Sequence, residues 1–332
     1  MLSVISHLTH YTTKLEKYDI WQLNKDWILA GAFDIIISRM KGGENVIMAR
    51  IRITADATCD LPKELLKSLH INTIPLYVEF KGQTFLDGVN ITPEEIFKDV
   101  LAGGRIPGTS APSIGDYHDF FTKQKEDCDE IVHLSISSRI SASYQSARLA
   151  AESMEGVYVV DSFALSSGTG LLVLKAAQMA EESKSAEEIA NITTALRKNV
   201  RTSFLLDRLD FLYKGGRCSA LQALGANLLR LKPCIEMPDG ALALGAKFRG
   251  TLAKSLESYV ESKLRGDAGH IDKTRIMITH SLLDDPSYIG LVESKIKEFA
   301  DFDEVVISDA SSVISAHCGP NTLGILYMVK SS

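Results

Sequence analysis

An α/β fold is predicted for residues 48–330: an N-terminal parallel sheet flanked by helices, followed by a C-terminal α+β domain. Three observations predict it. Between Ile51 and Asp161, short apolar runs alternate with amphipathic helical stretches, the pattern of βαβ units. After Phe204 the texture changes to strands in closer succession with fewer helices. The chain, at 332 residues, also exceeds the size at which one hydrophobic core keeps growing. These place a boundary near residue 203, giving domains 48–203 and 204–330 after an extension over 1–47.

Ile51–Thr54 is the first strand, and Asp60 then stands where a helix N-cap is expected, before Leu61, Leu65, Leu66 and Leu69 at helical spacing. Ile71–Phe80 reads as extended. Thr92-Pro93-Glu94-Glu95 combines a capping hydroxyl, a proline at the first helical position and a capping-box glutamate. Ser113 caps a helix toward Lys125, Ile131–Ile136 is a strand, Ser141 opens a helix toward Met154, and Val157–Val160 is a strand. Helices follow at 168–182 and 186–199. Further strands are expected at 235–237, 241–246, 275–279, 305–308 and 325–329, with helices near 252–264 and 288–299. No internal repeat interrupts this order.

Composition narrows the function classes. A net charge of −6 supplies no basic surface for nucleic acid, and no polybasic run marks an anionic membrane surface. Cys59, Cys128, Cys218, Cys234 and Cys318 are dispersed singly, which points to reduced thiols in the cytoplasm rather than to disulfides or zinc. The apolar stretch Trp27–Ile37 is shorter than the roughly 20 residues that span a bilayer. Lys41-Gly42-Gly43-Glu44 is what AAA-GGA-GGA-GAA encodes, a sequence containing a ribosome-binding site, and Met48 follows; a start at Met48 is therefore an alternative to a genuine extension.

Two hydroxyl-rich stretches stand where a strand or loop hands over to a helix: Gly108-Thr109-Ser110-Ala111-Pro112-Ser113, and Ser135 to Ala147. Backbone N–H groups at such junctions attract anions. Hydroxyls donate to a carboxylate without adding charge, which suits an anionic head on an apolar ligand. Helix capping is the competing role for either stretch alone. In parallel α/β sheets ligands lie beyond the carboxyl ends of the strands, and both stretches fall there.

Together with Ile53–Pro62, Leu86-Asp87-Gly88-Val89, Leu212–Ser219 and His317–Gly324, these stretches resemble the DegV family of bacterial fatty-acid-binding proteins, from about Ile51 to Val329. The resemblance implies a long-chain fatty acid buried at the domain junction, with Thr109 and Ser141 binding its carboxylate and His317 completing the head-group site. A protonated His317 would strengthen that contact. It further implies a cytoplasmic, non-catalytic carrier with no cofactor and no metal, which hands its lipid to a fatty-acid kinase. Arg217 matches the family's arginine after a Gly-Gly turn, and Arg249 is a second basic residue; either would contact phosphate or the kinase, where Arg217 alone could equally form a surface salt bridge. Three positions depart from the family pattern: Ala142, Lys214 and Asn321.

Enzymatic readings compete less well. A serine-dependent lipid hydrolase using Ser141 and His317 lacks both a G-x-S-x-G elbow and an identifiable acidic partner. The stretch 240–247 lacks the Lys and Ser/Thr of a P-loop. Cys318 beside His317 is read as lying on extended chain, where neighbours point to opposite faces. Asp284-Asp285 reads as a cap for the helix after Pro286 rather than a metal site.

Overall fold

A computed structural model describes residues 49–218 and 231–331; the readings of residues 1–47 lie outside the described residues. The elements in order are β1 (Ile51–Asp56), α1 (Lys63–Ser68), β2 (Asn72–Ile74), β3 (Tyr77–Phe80), β4 (Gln83–Leu86), α2 (Pro93–Leu101), β5 (Gly108–Ser110), α3 (Ile114–Lys125), β6 (Glu130–Ser135), α4 (Ser143–Ala151), β7 (Val157–Asp161) and α5 (Ser167–Glu181). Then come α6 (Ala186–Leu196), β8 (Val200–Leu205), α7 (Asp210–Gly215), β9 (Leu231–Glu236), β10 (Ala243–Arg249), α8 (Leu252–Gly266), β11 (Ile271–His280), α9 (Ser287–Lys297), β12 (Glu304–Asp309), α10 (Ser312–Cys318) and β13 (Leu323–Val329).

Three sheets result. The first has the order β2-β1-β6-β7 and is parallel throughout, as the alternation of strands and helices predicts. The second has the order β10-β9-β8-β13-β11-β12 and is antiparallel except where β11 meets β12. The third, β4-β3-β5, was not anticipated. The extended stretch 71–80 divides at Pro75 into β2 and β3, which belong to different sheets. A proline donates no ladder hydrogen bond, so the break falls where the ladder would have to continue.

Between the first two sheets runs α5, buried along most of its length, from Ser167 to Met179. Its Leu172 and Val173 pack in one cluster with Ile53 and Leu134 of the parallel sheet and with Met277 and Leu326 of the mixed sheet. A helix that is apolar nearly all round belongs in such an interior position. Thr92 and Ser113 both form complete capping boxes, with Glu95 and Asp116, as their spacing predicts.

Three local expectations are corrected. Asp60 does not cap α1: the N-cap is Pro62, and Asp60 sits in the left-handed region at φ 47° with its carboxyl directed elsewhere. The helix opened by the second hydroxyl stretch starts at Ser143 with Ala142 as N-cap, and Ser141 accepts the Ser143 amide at 3.2 Å. His317 and Cys318 lie on α10, not on extended chain. Asp285 does meet the start of α9, accepting from the Ser287 amide at 2.9 Å.

Candidate binding site

A cavity of about 560 Å³ opens where β5, the β6–α4 loop, α7 and α10 converge. Its walls are apolar and include Leu165, Phe204, Leu212, Leu242 and Ile314; Thr109, Ser110, Ser138, Ser141 and His317 supply its polar end. Two larger grooves, about 760 and 880 Å³, lack this division. The first is crossed by charge pairs such as Arg201–Asp267, and the second is lined by Asp60, Asp87, Glu94 and Glu95. An apolar cavity with a few convergent polar groups is the arrangement that binds small amphiphiles.

Each polar side chain is held by its own element. Thr109 is on β5, the edge strand that pairs with Val78 of β3. Its hydroxyl lies 2.8 Å from His317 Nε2, a contact that joins residues far apart in sequence. Ser141 shares a 2.9 Å hydrogen bond with the Ser143 hydroxyl at the entrance to α4. The β6–α4 loop that carries Ser141 is pinned: the Ser137 hydroxyl donates to the Gly240 carbonyl at 2.7 Å, and the Ser138 amide donates to Asp161 at 3.1 Å. Backbone fixed in this way holds hydroxyls without waiting for a ligand.

His317 is the electrostatic centre of the polar end. Burial, reinforced by the nearby Arg217 charge, pushes its imidazole down to about 4, so the ring is neutral at neutral pH. Nδ1 is buried and has no hydrogen-bond partner among the described residues. The Nε2–H tautomer is the less costly assignment, because it leaves a lone pair rather than a donor unpaired. That tautomer donates to the Thr109 oxygen and frees the threonine hydrogen to be donated into the cavity. A side chain at Gly215 would place its Cβ 2.3 Å from Nδ1, so the glycine is the residue that lets the ring fit.

Arg217 follows directly, exposed at the cavity rim, with Nη1 donating to the Gly215 carbonyl at 2.6 Å. Arg249 is not part of the arrangement: it ends β10, pairs with Leu231 and does not line the cavity. Arg139, exposed between Ser138 and Ser141, lines the cavity instead. Its signal in the sequence was its place inside the second hydroxyl stretch. The hydrolase geometry is not formed. No hydrogen bond joins Ser141 to His317, and no acid among the described residues orients the ring. Burial pushes the Cys318 thiol up to about 12, which removes it as a nucleophile.

Beyond Leu165, Phe204, Ile314 and Cys318 lies a second void of about 20 Å³, whose lining shares those four side chains with the main cavity. Among the described residues no cluster of His, Cys, Asp or Glu is arranged to hold a metal ion. None of their helices is long and apolar enough to cross a membrane.

Fold and site define a mixed α/β protein with an open cavity whose apolar walls meet a group of hydroxyls, His317 and two arginines. The chain belongs to the DegV family, matching the model described as "Uncharacterised protein, DegV family" over residues 50–330. It is 33% identical over 283 residues to the "Fatty acid-binding protein" of Thermotoga maritima, covering 83% of this chain and 96% of that one. The fold superposes on a fatty-acid-binding DegV family protein from Thermus thermophilus with a TM-score of 0.77 at 33% identity, covering 84% of this chain and 99% of that one. A stearic-acid-binding protein from Eubacterium ventriosum gives a TM-score of 0.72 at 28% identity, covering 84% and 98%.

Proposed function

We propose that this chain is a non-catalytic carrier that binds a long-chain fatty acid such as palmitate, with the tail in the 560 Å³ cavity and the carboxylate at Thr109 and Ser141. The observation that carries this reading is the Thr109–His317 hydrogen bond at the polar end of an apolar cavity. His317 acts by orienting the threonine hydroxyl: the ring donates to the oxygen, so the hydroxyl hydrogen turns toward the ligand. The names of the Thermotoga and Thermus relatives support the ligand class.

Affinity comes mainly from the tail. Burying about fifteen methylenes at roughly 0.8 kcal/mol each contributes on the order of 12 kcal/mol before association entropy is subtracted. Each hydrogen bond to the charged head adds about 1.5–3 kcal/mol and sets which end is held. Division of the chain near residue 203 makes the cavity a junction between 48–203 and 204–330. Arg217 at the rim is where a phosphate-bearing partner, a fatty-acid kinase in this reading, would meet the head group in the cytoplasm.

Lipid extraction of purified protein tests the assignment. Wild type carries about one fatty acid per chain, whereas Thr109→Ala with Ser141→Ala keeps the circular dichroism of the folded protein and loses the lipid. Full lipid occupancy in the double variant would overturn the head-group assignment.

A further inference from the structure

Two sequence motifs have no part in the site just described: the Asp60 stretch and Leu86-Asp87-Gly88-Val89. Both carry a carboxylate that is almost fully buried, Asp60 at 5% and Asp87 at 2% exposure. Neither forms a salt bridge among the described residues. Burial raises both carboxyls, Asp60 to about 8. Such groups are costly to bury, so their partners matter.

Those partners are the orphan amides at the start of one short helix. A helix leaves its first four N–H groups without an intrahelical acceptor. In α10 every one is met by a side chain. The Ser311 amide donates to Asp60 Oδ1 at 3.1 Å, and the Ser312 amide to Asp87 Oδ1 at 2.7 Å. The Val313 amide donates to Asp87 Oδ2 at 3.3 Å, and the Ile314 amide to the Ser311 hydroxyl at 3.4 Å. The Ser312 hydroxyl adds a bond to the Ile91 carbonyl at 3.0 Å, on the segment that carries Asp87.

From that clamped end, α10 runs to the cavity. Val313, Ile314, His317 and Cys318 all line it, at the spacing that puts them on one face. A helix of this length has little stability of its own, so its rotation and axial position depend on what holds its ends. Sliding or turning α10 would move His317 away from Thr109, which sits on a different sheet.

We propose that Asp87 and Asp60 are positioning residues of the head-group site: together they fix the helix that presents His317 to Thr109. The two do so differently. Asp87 spends both oxygens on amides, so an asparagine there must turn a donor toward a donor. Asp60 gives one oxygen to an amide and bonds the Ser166 hydroxyl with the other at 2.5 Å. A hydroxyl can reverse its role, so asparagine fits at Asp60.

The proposal rests on the fatty-acid reading only in its binding arm, and a ligand-free arm separates the two. In the ligand-free arm the probe is the ¹⁵N resonance pair of the His317 imidazole. Asp87→Asn shifts it, and so does Asp60→Ala, which leaves the Ser311 amide without its acceptor; an unchanged His317 signal in either folded variant removes that residue from the clamp and overturns the proposal. In the binding arm the probes are palmitate and its methyl ester. Asp87→Asn weakens palmitate about tenfold relative to the ester, and combining it with His317→Gln adds little further loss. Equal weakening of both probes, or strictly additive losses, would mark Asp87 as a purely structural residue. Absence of palmitate binding by wild type would instead sink the fatty-acid reading and leave the imidazole result standing.

Discussion

Among the described residues, His133 and His317 have opposite surroundings. His133 on β6 is wholly buried, and both ring nitrogens are partnered: Nδ1 with the Thr54 hydroxyl at 3.0 Å and Nε2 with Asp56 at 3.2 Å. Asp56 in turn accepts from Tyr117 at 2.5 Å, from Ser135 at 2.7 Å and from the Ile136 amide at 2.9 Å. The rings of Tyr117 and Phe121 close over His133 at 5.5 and 5.2 Å. His317 has one partnered nitrogen, a buried second nitrogen with no partner among the described residues, and a cavity beside it. A completed network has no capacity left for a ligand and acts as scaffold. An incomplete one, held rigid by its neighbours, keeps that capacity. The two are linked, because Asp56 fixes Ile136 at the start of the loop that carries Ser141.

Breaking the completed network has the largest effect expected. Asp56→Ala strands a phenol, a hydroxyl, an imidazole and an amide at once, and costs about 3–5 kcal/mol of stability by chemical denaturation. A loss below about 1 kcal/mol would erase the distinction between the two histidines. Phe204→Leu acts on the apolar side of the site. It costs about 1–2 kcal/mol, opens the main cavity toward the 20 Å³ void, and moves the co-purifying acids toward longer chains in a lipid profile. An unchanged profile would remove Phe204 from the tail's end wall.

The third effect is a pH slope. His317 falls from its ordinary 6.5 to about 4 in the folded chain, so between those values the unfolded chain binds a proton that the folded one does not. Stability from this group is complete above pH 6.5 and declines as pH falls toward 4. Denaturation at pH 7.5 and 5 should show a shallower loss for His317→Gln than for wild type; identical slopes would mean the ring is not held neutral.

How much of this was legible in the sequence depended on how local the physics was. The capping box at Thr92 and the cap at Ser113 are complete within four residues and are legible in the sequence. Thr109 and Ser141, which line the cavity, stand out in the sequence because a strand-to-helix handover is also a local signal. Asp60 misled for the same reason: an aspartate ahead of leucines at helical spacing is a strong local cap, yet its carboxyl meets Ser311, 251 positions away. Helix α10 was missed because its seven residues are too few to show a period, and its start is stabilised by residues from other motifs. Arg139 was passed over in favour of Arg249, since nothing in the spacing says which arginine reaches the rim.

The central claim is that the Thr109 and Ser141 hydroxyls hold a carboxylate inside the cavity. Carbon-13 NMR of palmitate labelled at its carboxyl carbon tests it directly. The account predicts one bound resonance in slow exchange, displaced by Thr109→Val and untouched by Arg249→Ala. A carboxyl signal identical in wild type and Thr109→Val would contradict it.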